Sequence, residues 1–135
     1  MSQENPDVIR GVYDAWMRRD PSAFDALDPE IEVHPDPEAF WVGVDQVYRG
    51  HEGLREYLRA VNEAFEDYRP EVEDFLEVGD RVVTLAIEHG RGRDSGADVQ
   101  SARTAHVWTM RDGKSVRLDL YICLLYTSPS PRDRS

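Results

Sequence analysis

The sequence predicts an α+β fold in which three N-terminal helices pack against a mainly antiparallel β-sheet. Apolar residues recur at helical spacing in three segments within the first 65 residues, and from residue 70 onward they alternate with polar residues. Four strands then follow one another across turns or short loops. Such connections join neighbouring strands in antiparallel pairs.

The first helix is predicted from a start signal at residues 5–7. Asn5 is a good N-cap, Pro6 fits the first helical position, and Asp7 places a negative charge in the first turn. The apolar residues that then share one face are Val8, Val12, Ala15 and Trp16. A second start signal, Asp20-Pro21, predicts a short second helix that carries Phe24 and Leu27.

A short strand is predicted over residues 31–34, and a proline-containing loop extends from there to Gly43. This loop contains two aromatic residues, Phe40 and Trp41. The third helix is predicted over residues 50–65, before Arg69-Pro70. Its apolar stripe consists of Leu54, Tyr57, Leu58, Val61 and Phe65.

The remaining strands are predicted over residues 70–78, 81–90, 98–110 and 115–122. Gly79-Asp80 forms the first turn between them, a glycine-rich loop over residues 90–96 forms the second, and Asp112-Gly113 forms the third. The glycine-rich loop joins two strands and does not precede a helix, so it is interpreted as a turn and not as a phosphate cradle.

The Asp112-Gly113 hairpin decides which side chains of the last two strands share a face. With two or four loop residues, Met110 lies opposite Ser115. One face is then consistently apolar and carries Ala105, Val107, Thr109, Val116, Leu118 and Leu120, while the other carries His106, Trp108, Arg117, Asp119 and Tyr121. A three-residue loop with a bulge instead shifts the pairing by one residue and mixes the two sets. We expect the first register, because it buries a uniformly apolar face.

Composition and charge exclude several classes of protein. The chain has 16 basic and 27 acidic residues and a formal net charge of −11, so nucleic acid is not an expected partner. No apolar run has membrane-spanning length and no secretory leader is present, so we expect a cytoplasmic protein without membrane contact. The four histidines show no metal-ligand spacing, and we expect neither a metal nor a cofactor.

The last thirteen residues differ in character from the rest of the chain. Residues 123–133 read Cys-Leu-Leu-Tyr-Thr-Ser-Pro-Ser-Pro-Arg-Asp, which resembles the translation of a transposase-type sequencing adapter. We therefore expect one native domain over residues 1–122 and a non-native read-through tail over residues 123–135. The alternative is a native Pro/Ser-rich tail.

The hairpin over residues 104–121, preceded by three helices and two earlier strands, resembles the SnoaL-like branch of the nuclear transport factor two superfamily. The resemblance covers residues 5–121. It implies a cystatin-like cone, in which the helices pack on a curved sheet and enclose an apolar pocket.

The resemblance also implies candidate site residues. Comparison with ketosteroid isomerase places Glu88 on the cavity side of its strand. A carboxyl there is a candidate general acid or base, and burial raises its pKa unless His34 or an arginine reaches it. His34 lies near the segment that carries the catalytic aspartate of ketosteroid isomerase and is the second candidate. The alternatives are an exposed strand-end glutamate and an ordinary edge-strand histidine. The expected pocket residues are Trp16, Trp41, Tyr57, Ala105, Val107 and Leu118.

Known catalytic positions of related enzymes are not retained in this sequence. Ala105 stands where ketosteroid isomerase has the aspartic acid of its oxyanion hole, and Tyr13 is about one residue out of register with the matching tyrosine. Leu120 stands where enzymes similar to limonene-epoxide hydrolase have an aspartate. The resemblance thus implies a protein that binds an apolar small molecule. Such a protein either isomerises, cyclises or hydrates its ligand by cofactor-independent acid/base chemistry, or serves as a non-catalytic ligand-binding or dimerisation module.

A homodimer is expected through the outer face of the sheet. In the preferred register this face presents Trp108 and Tyr121 beside Val83, Leu85 and Ile87. A monomer rarely leaves an apolar patch of this kind in water, and two-fold symmetry is the usual way to cover it.

Overall fold

A computed structural model describes residues 4–36 and 47–122. The predictions for Phe40, Trp41 and the tail over residues 123–135 lie outside the described residues. In chain order the elements are helix α1 (Glu4–Met17), a 3₁₀ helix (Pro21–Ala26), β1 (Leu27–His34), β2 (Tyr48–Arg49), α2 (Gly50–Ala64), β3 (Phe65–Val78), β4 (Arg81–Gly92), β5 (Asp98–Arg111) and β6 (Lys114–Ile122).

The predicted α+β class is confirmed, with helices packed on a curved, open and mostly antiparallel sheet. Its strand order is β2-β1-β6-β5-β4-β3. The pairs β3/β4, β4/β5 and β5/β6 are antiparallel, whereas β1 pairs with β6 in parallel. Register shifts within β3 and between β4 and β5 mark bulges, which bend strands and increase their twist.

Two strands begin several residues before their predicted starts. β1 begins at Leu27, directly after the 3₁₀ helix, and β3 begins at Phe65, directly after α2. Sequence patterning missed both starts because a strand that continues from a helix without a loop carries no turn residues. The first residue of α2 needs to be glycine. Gly50 has φ +75°, and a Cβ there would lie 3.0 Å from the carbonyl oxygen of Pro29.

The core lies between the concave face of the sheet and the inward faces of the helices. From α1 it receives Ile9, Val12 and Tyr13, each at most 5% exposed. α2 contributes Leu54, Tyr57 and Val61. No helix in the described ranges is long and apolar enough to cross a membrane.

The β5/β6 hairpin corrects the expected face assignment. Asp112 and Gly113 have φ values of 54° and 81°, which fit a two-residue type I′ turn, and Met110 lies opposite Ser115 as predicted. One residue further along, the register shifts, so that Thr109 pairs with Arg117 and Val116 is the additional residue. The buried Ser115 hydroxyl lies 3.2 Å from the carbonyl oxygen of Thr109 and 3.1 Å from that of Arg117.

This bulge exchanges the two faces of β5 relative to β6. Trp108 pairs with Leu118 and His106 pairs with Leu120, and all four side chains are buried on the inner face. Ala105 and Val107 lie on the outer face, where they pair with Tyr121 and Asp119. The predictions that Ala105 and Val107 face the pocket, and that Trp108 lies on the outer surface, are therefore wrong.

Candidate functional site

A cavity of about 260 Å³ lies between the helices and the concave face of the sheet. Its wall is almost entirely apolar, with aromatic rings from both layers. Among the described residues its lining is Val12, Trp16, Arg19, Asp20, Pro21, Ala23, Phe24, Leu27, Leu54, Tyr57, Leu58, His106, Trp108, Leu118 and Leu120. Cavities of this kind, with few polar groups, are typical of small-molecule sites.

Three of the expected pocket residues line this cavity. Trp16 comes from α1, Tyr57 from α2 and Leu118 from β6. Ala105 and Val107 do not line it, because the bulge at Val116 places them on the opposite face of the sheet.

Glu88 lies on the inner face, behind the cavity wall, with 8% of its surface exposed. One carboxylate oxygen accepts a hydrogen bond from the Tyr68 hydroxyl at 2.7 Å. The other lies 2.8 Å from the Thr104 hydroxyl and 2.7 Å from Nε2 of His106. Three side chains thus surround a carboxyl group that is nearly inaccessible to solvent.

The pKa of Glu88 is lowered, which corrects the expectation of a raised value. Burial, the largest single influence, raises it. The hydrogen bond and charge of His106, together with the hydrogen bonds from Tyr68 and Thr104, outweigh burial. Among the described residues, the largest stabilising influence on the carboxylate is therefore His106, where His34 or an arginine was expected.

His106 connects Glu88 to a second hydrogen-bonded pair. A carboxylate can only accept, so His106 Nε2 carries the proton that faces Glu88. In the neutral imidazole, Nδ1 accepts from the Tyr13 hydroxyl at 2.6 Å, and the Tyr13 oxygen accepts from Nε1 of Trp108 at 3.2 Å. The result is a continuous buried network from Trp108 through Tyr13 and His106 to Glu88.

Tyr13 and Thr84 complete this network. Burial raises the pKa of Tyr13 well above its ordinary value, so the phenol stays protonated at neutral pH. The fully buried Thr84 hydroxyl lies near enough to the Tyr13 hydroxyl to favour its ionised form. However, no hydrogen bond of normal geometry joins Thr84 Oγ1 to any residue in the described part of the chain.

His34 lies on the other side of the sheet. Val33 pairs with the cavity residue Leu118, so the next residue, His34, pairs with Asp119 on the outer face. Its Nε2 lies 3.0 Å from a carboxylate oxygen of Glu32. The structure therefore does not bring His34 and Glu88 together.

Sequence reasoning missed His106 as a site residue. It lies on the alternating strand β5 next to apolar neighbours, and its facing depends on a bulge in the partner strand. One available signal was the alternation of β4: Thr84 lies four residues before Glu88, which was expected to face the cavity, so the two share a face, and Thr84 pairs directly with His106. Cross-strand partners in a sheet share a face.

Residues 9–118 match the family model of the SnoaL-like domain. The chain belongs to the SnoaL-like family. No curated protein matches this chain.

Solved structures share the fold of this SnoaL-like protein. TerC, crystallised with polyporic acid, is 26% identical with a TM-score of 0.79, and the match covers 92% of this chain and 95% of TerC. An NTF2-like protein of unknown function from Burkholderia pseudomallei is 24% identical with a TM-score of 0.78, over 92% of this chain and 94% of that one.

A protein from Catenulispora acidiphila with a ketosteroid-isomerase-like fold was crystallised with trimethylamine. It is 16% identical with a TM-score of 0.72, and the match covers 96% of this chain and 97% of that one. At this identity the likeness concerns the fold. The chemistry of the present chain has to be argued from its own residues.

Proposed function

We propose that this SnoaL-like protein binds a small, largely apolar molecule in the cavity between its helices and its sheet. The observation that carries the proposal is the cavity itself, about 260 Å³ in volume and walled by Trp16, Tyr57, Trp108 and aliphatic side chains. Transfer of apolar ligand surface from water to such a wall is favourable. The aromatic rings suit a flat ring system.

A neutral bicyclic amide, 2-naphthamide, tests this proposal by isothermal titration calorimetry. Leu118→Phe places a larger side chain in the cavity and should weaken binding at least about tenfold. Val107→Phe adds comparable bulk on the outer face of the sheet and should leave binding unchanged. Equal effects of the two variants, or no binding by the wild-type protein, would refute the proposal.

A second candidate function is proton transfer to or from the bound molecule. Its supporting observation is that His106 is both a lining residue of the cavity and the hydrogen-bond partner of the ionised Glu88. A carboxylate on one ring nitrogen fixes the tautomer and the orientation of the imidazole. In a cofactor-independent isomerisation, cyclisation or hydration, His106 would act as acid and base through Nδ1. This nitrogen would exchange its hydrogen bond to Tyr13 for one to the bound molecule, while Nε2 keeps its proton toward Glu88.

The hydroxyl groups of Tyr13 and Thr84 support this role of His106. When Nδ1 gains a proton, it becomes a donor, and the Tyr13 oxygen must accept from it. The Tyr13 proton then needs another acceptor, which Thr84 Oγ1 supplies because it has no hydrogen-bond partner of its own among the described residues. Both protonation states of His106 would therefore leave the network satisfied.

Hydrogen–deuterium exchange at the methyl group of 2-acetylnaphthalene separates the enzyme from a non-catalytic module. If His106 transfers protons, the wild-type protein accelerates exchange, and both His106→Gln and Glu88→Gln abolish the acceleration. His34→Gln is the matched control and should have no effect. Binding of the ketone without accelerated exchange would support the non-catalytic module.

We also propose that two copies associate through the outer face of the sheet. Trp108 lies on the inner face, but the outer face still presents a continuous apolar surface. This surface consists of Leu76, Val83, Leu85, Ala105, Val107 and Tyr121. Leu76 is 44% exposed and Tyr121 is 53% exposed. A second copy would cover this surface with its own equivalent.

A further inference from the structure

We infer that the molecule bound in the cavity is an organic acid whose anionic group is held by Arg19. The inference rests on the proposed function, because it needs an apolar body in the cavity. The inference adds that the ligand carries a carboxylate or a similarly acidic group at one end of its apolar body.

Arg19 lies where the apolar cavity meets a second, polar groove. The cavity wall includes Trp16 and Arg19, and the same two residues also line the groove beside Tyr68 and Arg93. A ligand with its rings between Trp16 and Trp108 can therefore place a group at the cavity edge within reach of the guanidinium. The planar guanidinium matches a carboxylate with two parallel hydrogen bonds.

The charged side chains near Arg19 have other partners, so its guanidinium is available to bind an anion. Asp20, the acidic residue of the cavity wall, accepts from the backbone N–H of Ser22 and pairs with Arg18. Across the groove, Arg93 pairs with Glu66 and donates to the carbonyl oxygen of Asn62. Among the ion pairs that the described residues form, none involves Arg19.

The backbone at Arg19 provides a second, independent observation. Arg19 follows the end of α1 with φ 58°, and its N–H bonds to the carbonyl oxygen of Trp16 while that of Asp20 bonds to Ala15. This is the helix-ending motif whose left-handed position glycine normally occupies. An arginine there has an unfavourable backbone conformation. A role of the arginine side chain in binding would account for this backbone cost.

The test compares 2-naphthoate with 2-naphthamide, which share one bicyclic body and differ in charge. We expect the wild-type protein to bind the acid about tenfold more tightly than the amide, in line with a hydrogen bond to a charged group. Arg19→Gln should remove this preference and leave amide binding unchanged. Arg59→Gln is the matched control, because Arg59 is an exposed arginine on α2 that lines neither the cavity nor the groove.

Arg19→Gly separates a ligand contact from a structural role. Glycine suits the left-handed backbone, so this variant should melt no lower than the wild-type protein and should still lose the preference for the acid. Amide binding without an acid preference, or a preference that persists in Arg19→Gln, overturns the inference and leaves the proposed function intact. If neither probe binds, both the inference and the proposed function fail.

Discussion

Nε2 of His106 lies 2.7 Å from a carboxylate oxygen of Glu88, and both side chains are over nine-tenths buried. Charges are costly to remove from water unless they are paired and hydrogen-bonded. Here Tyr68 and Thr104 satisfy the carboxylate further, and Tyr13 satisfies the other ring nitrogen. The pair therefore fixes the orientation of an imidazole at the cavity wall.

The first prediction concerns the pH dependence of stability. The folded-state pKa of Glu88 lies below its ordinary value of 4.5, so its ionised form stabilises the fold above pH 4.5. This contribution is lost as the pH falls through the folded-state pKa. Glu88→Gln should lower the free energy of unfolding by on the order of 3 kcal/mol at pH 7. The difference from the wild-type protein should shrink in acid.

Urea unfolding at pH 7 and at several values below pH 4.5 measures this difference. Glu63→Gln, at an exposed position on α2, is the control and should show almost no change. A stability difference for Glu88→Gln that stayed constant with pH would show that the carboxyl is not selectively ionised in the folded state.

The second prediction concerns Tyr13. Tyr13→Phe removes the hydroxyl between His106 and Trp108 and leaves two buried ring nitrogens without that partner. A buried polar group that loses its hydrogen bond costs about 1–3 kcal/mol. Tyr121→Phe, at an exposed tyrosine, should be neutral by comparison. Equal melting temperatures for the wild-type protein and Tyr13→Phe would argue against the hydrogen bonds described here.

The third prediction concerns Thr84. Thr84→Val keeps the branched shape and removes a buried oxygen that has no partner of normal hydrogen-bond geometry among the described residues. Stability at neutral pH should stay the same or rise by about 1 kcal/mol. Chemical denaturation checks this, with Thr104→Val as the contrast, because the Thr104 hydroxyl bonds to Glu88 and to the carbonyl oxygen of Ala86. Thr104→Val should be clearly less stable.

The fourth prediction concerns oligomeric state. If the outer sheet face joins two copies, Leu85→Lys should give a monomer at micromolar concentration in sedimentation velocity, because a charge at the centre of the patch is costly to bury. Met17→Lys, at an exposed apolar position on α1 and not on the sheet, should leave the dimer intact. A wild-type protein that sediments as a monomer would contradict this interface.

The sequence by itself determined the fold class and most of the element order. Pro6 lies in the first turn of α1, Asp20 caps the 3₁₀ helix by accepting from the backbone N–H of Ser22, and Asp112-Gly113 specifies its turn through positive φ values. The positions of Trp16, Tyr57 and Leu118 in the cavity wall also follow from local periodicity, because each lies on a face that its own helix or strand must bury.

Only the tertiary structure decided which face of β5 lines the cavity. Because side chains alternate along a strand, His106 and Trp108 must share one face of β5. This alternation does not decide which face of the strand points toward the core. The bulge at Val116, where the Ser115 hydroxyl lies near two backbone carbonyl oxygens, reverses the assignment expected from apolar character alone. Burial of the polar His106 ring is also stable only because Glu88, 18 residues away, and Tyr13, 93 residues away, form hydrogen bonds with its two nitrogens. Contacts between residues so distant in sequence leave no local pattern, so the fold had to bring the candidate site together.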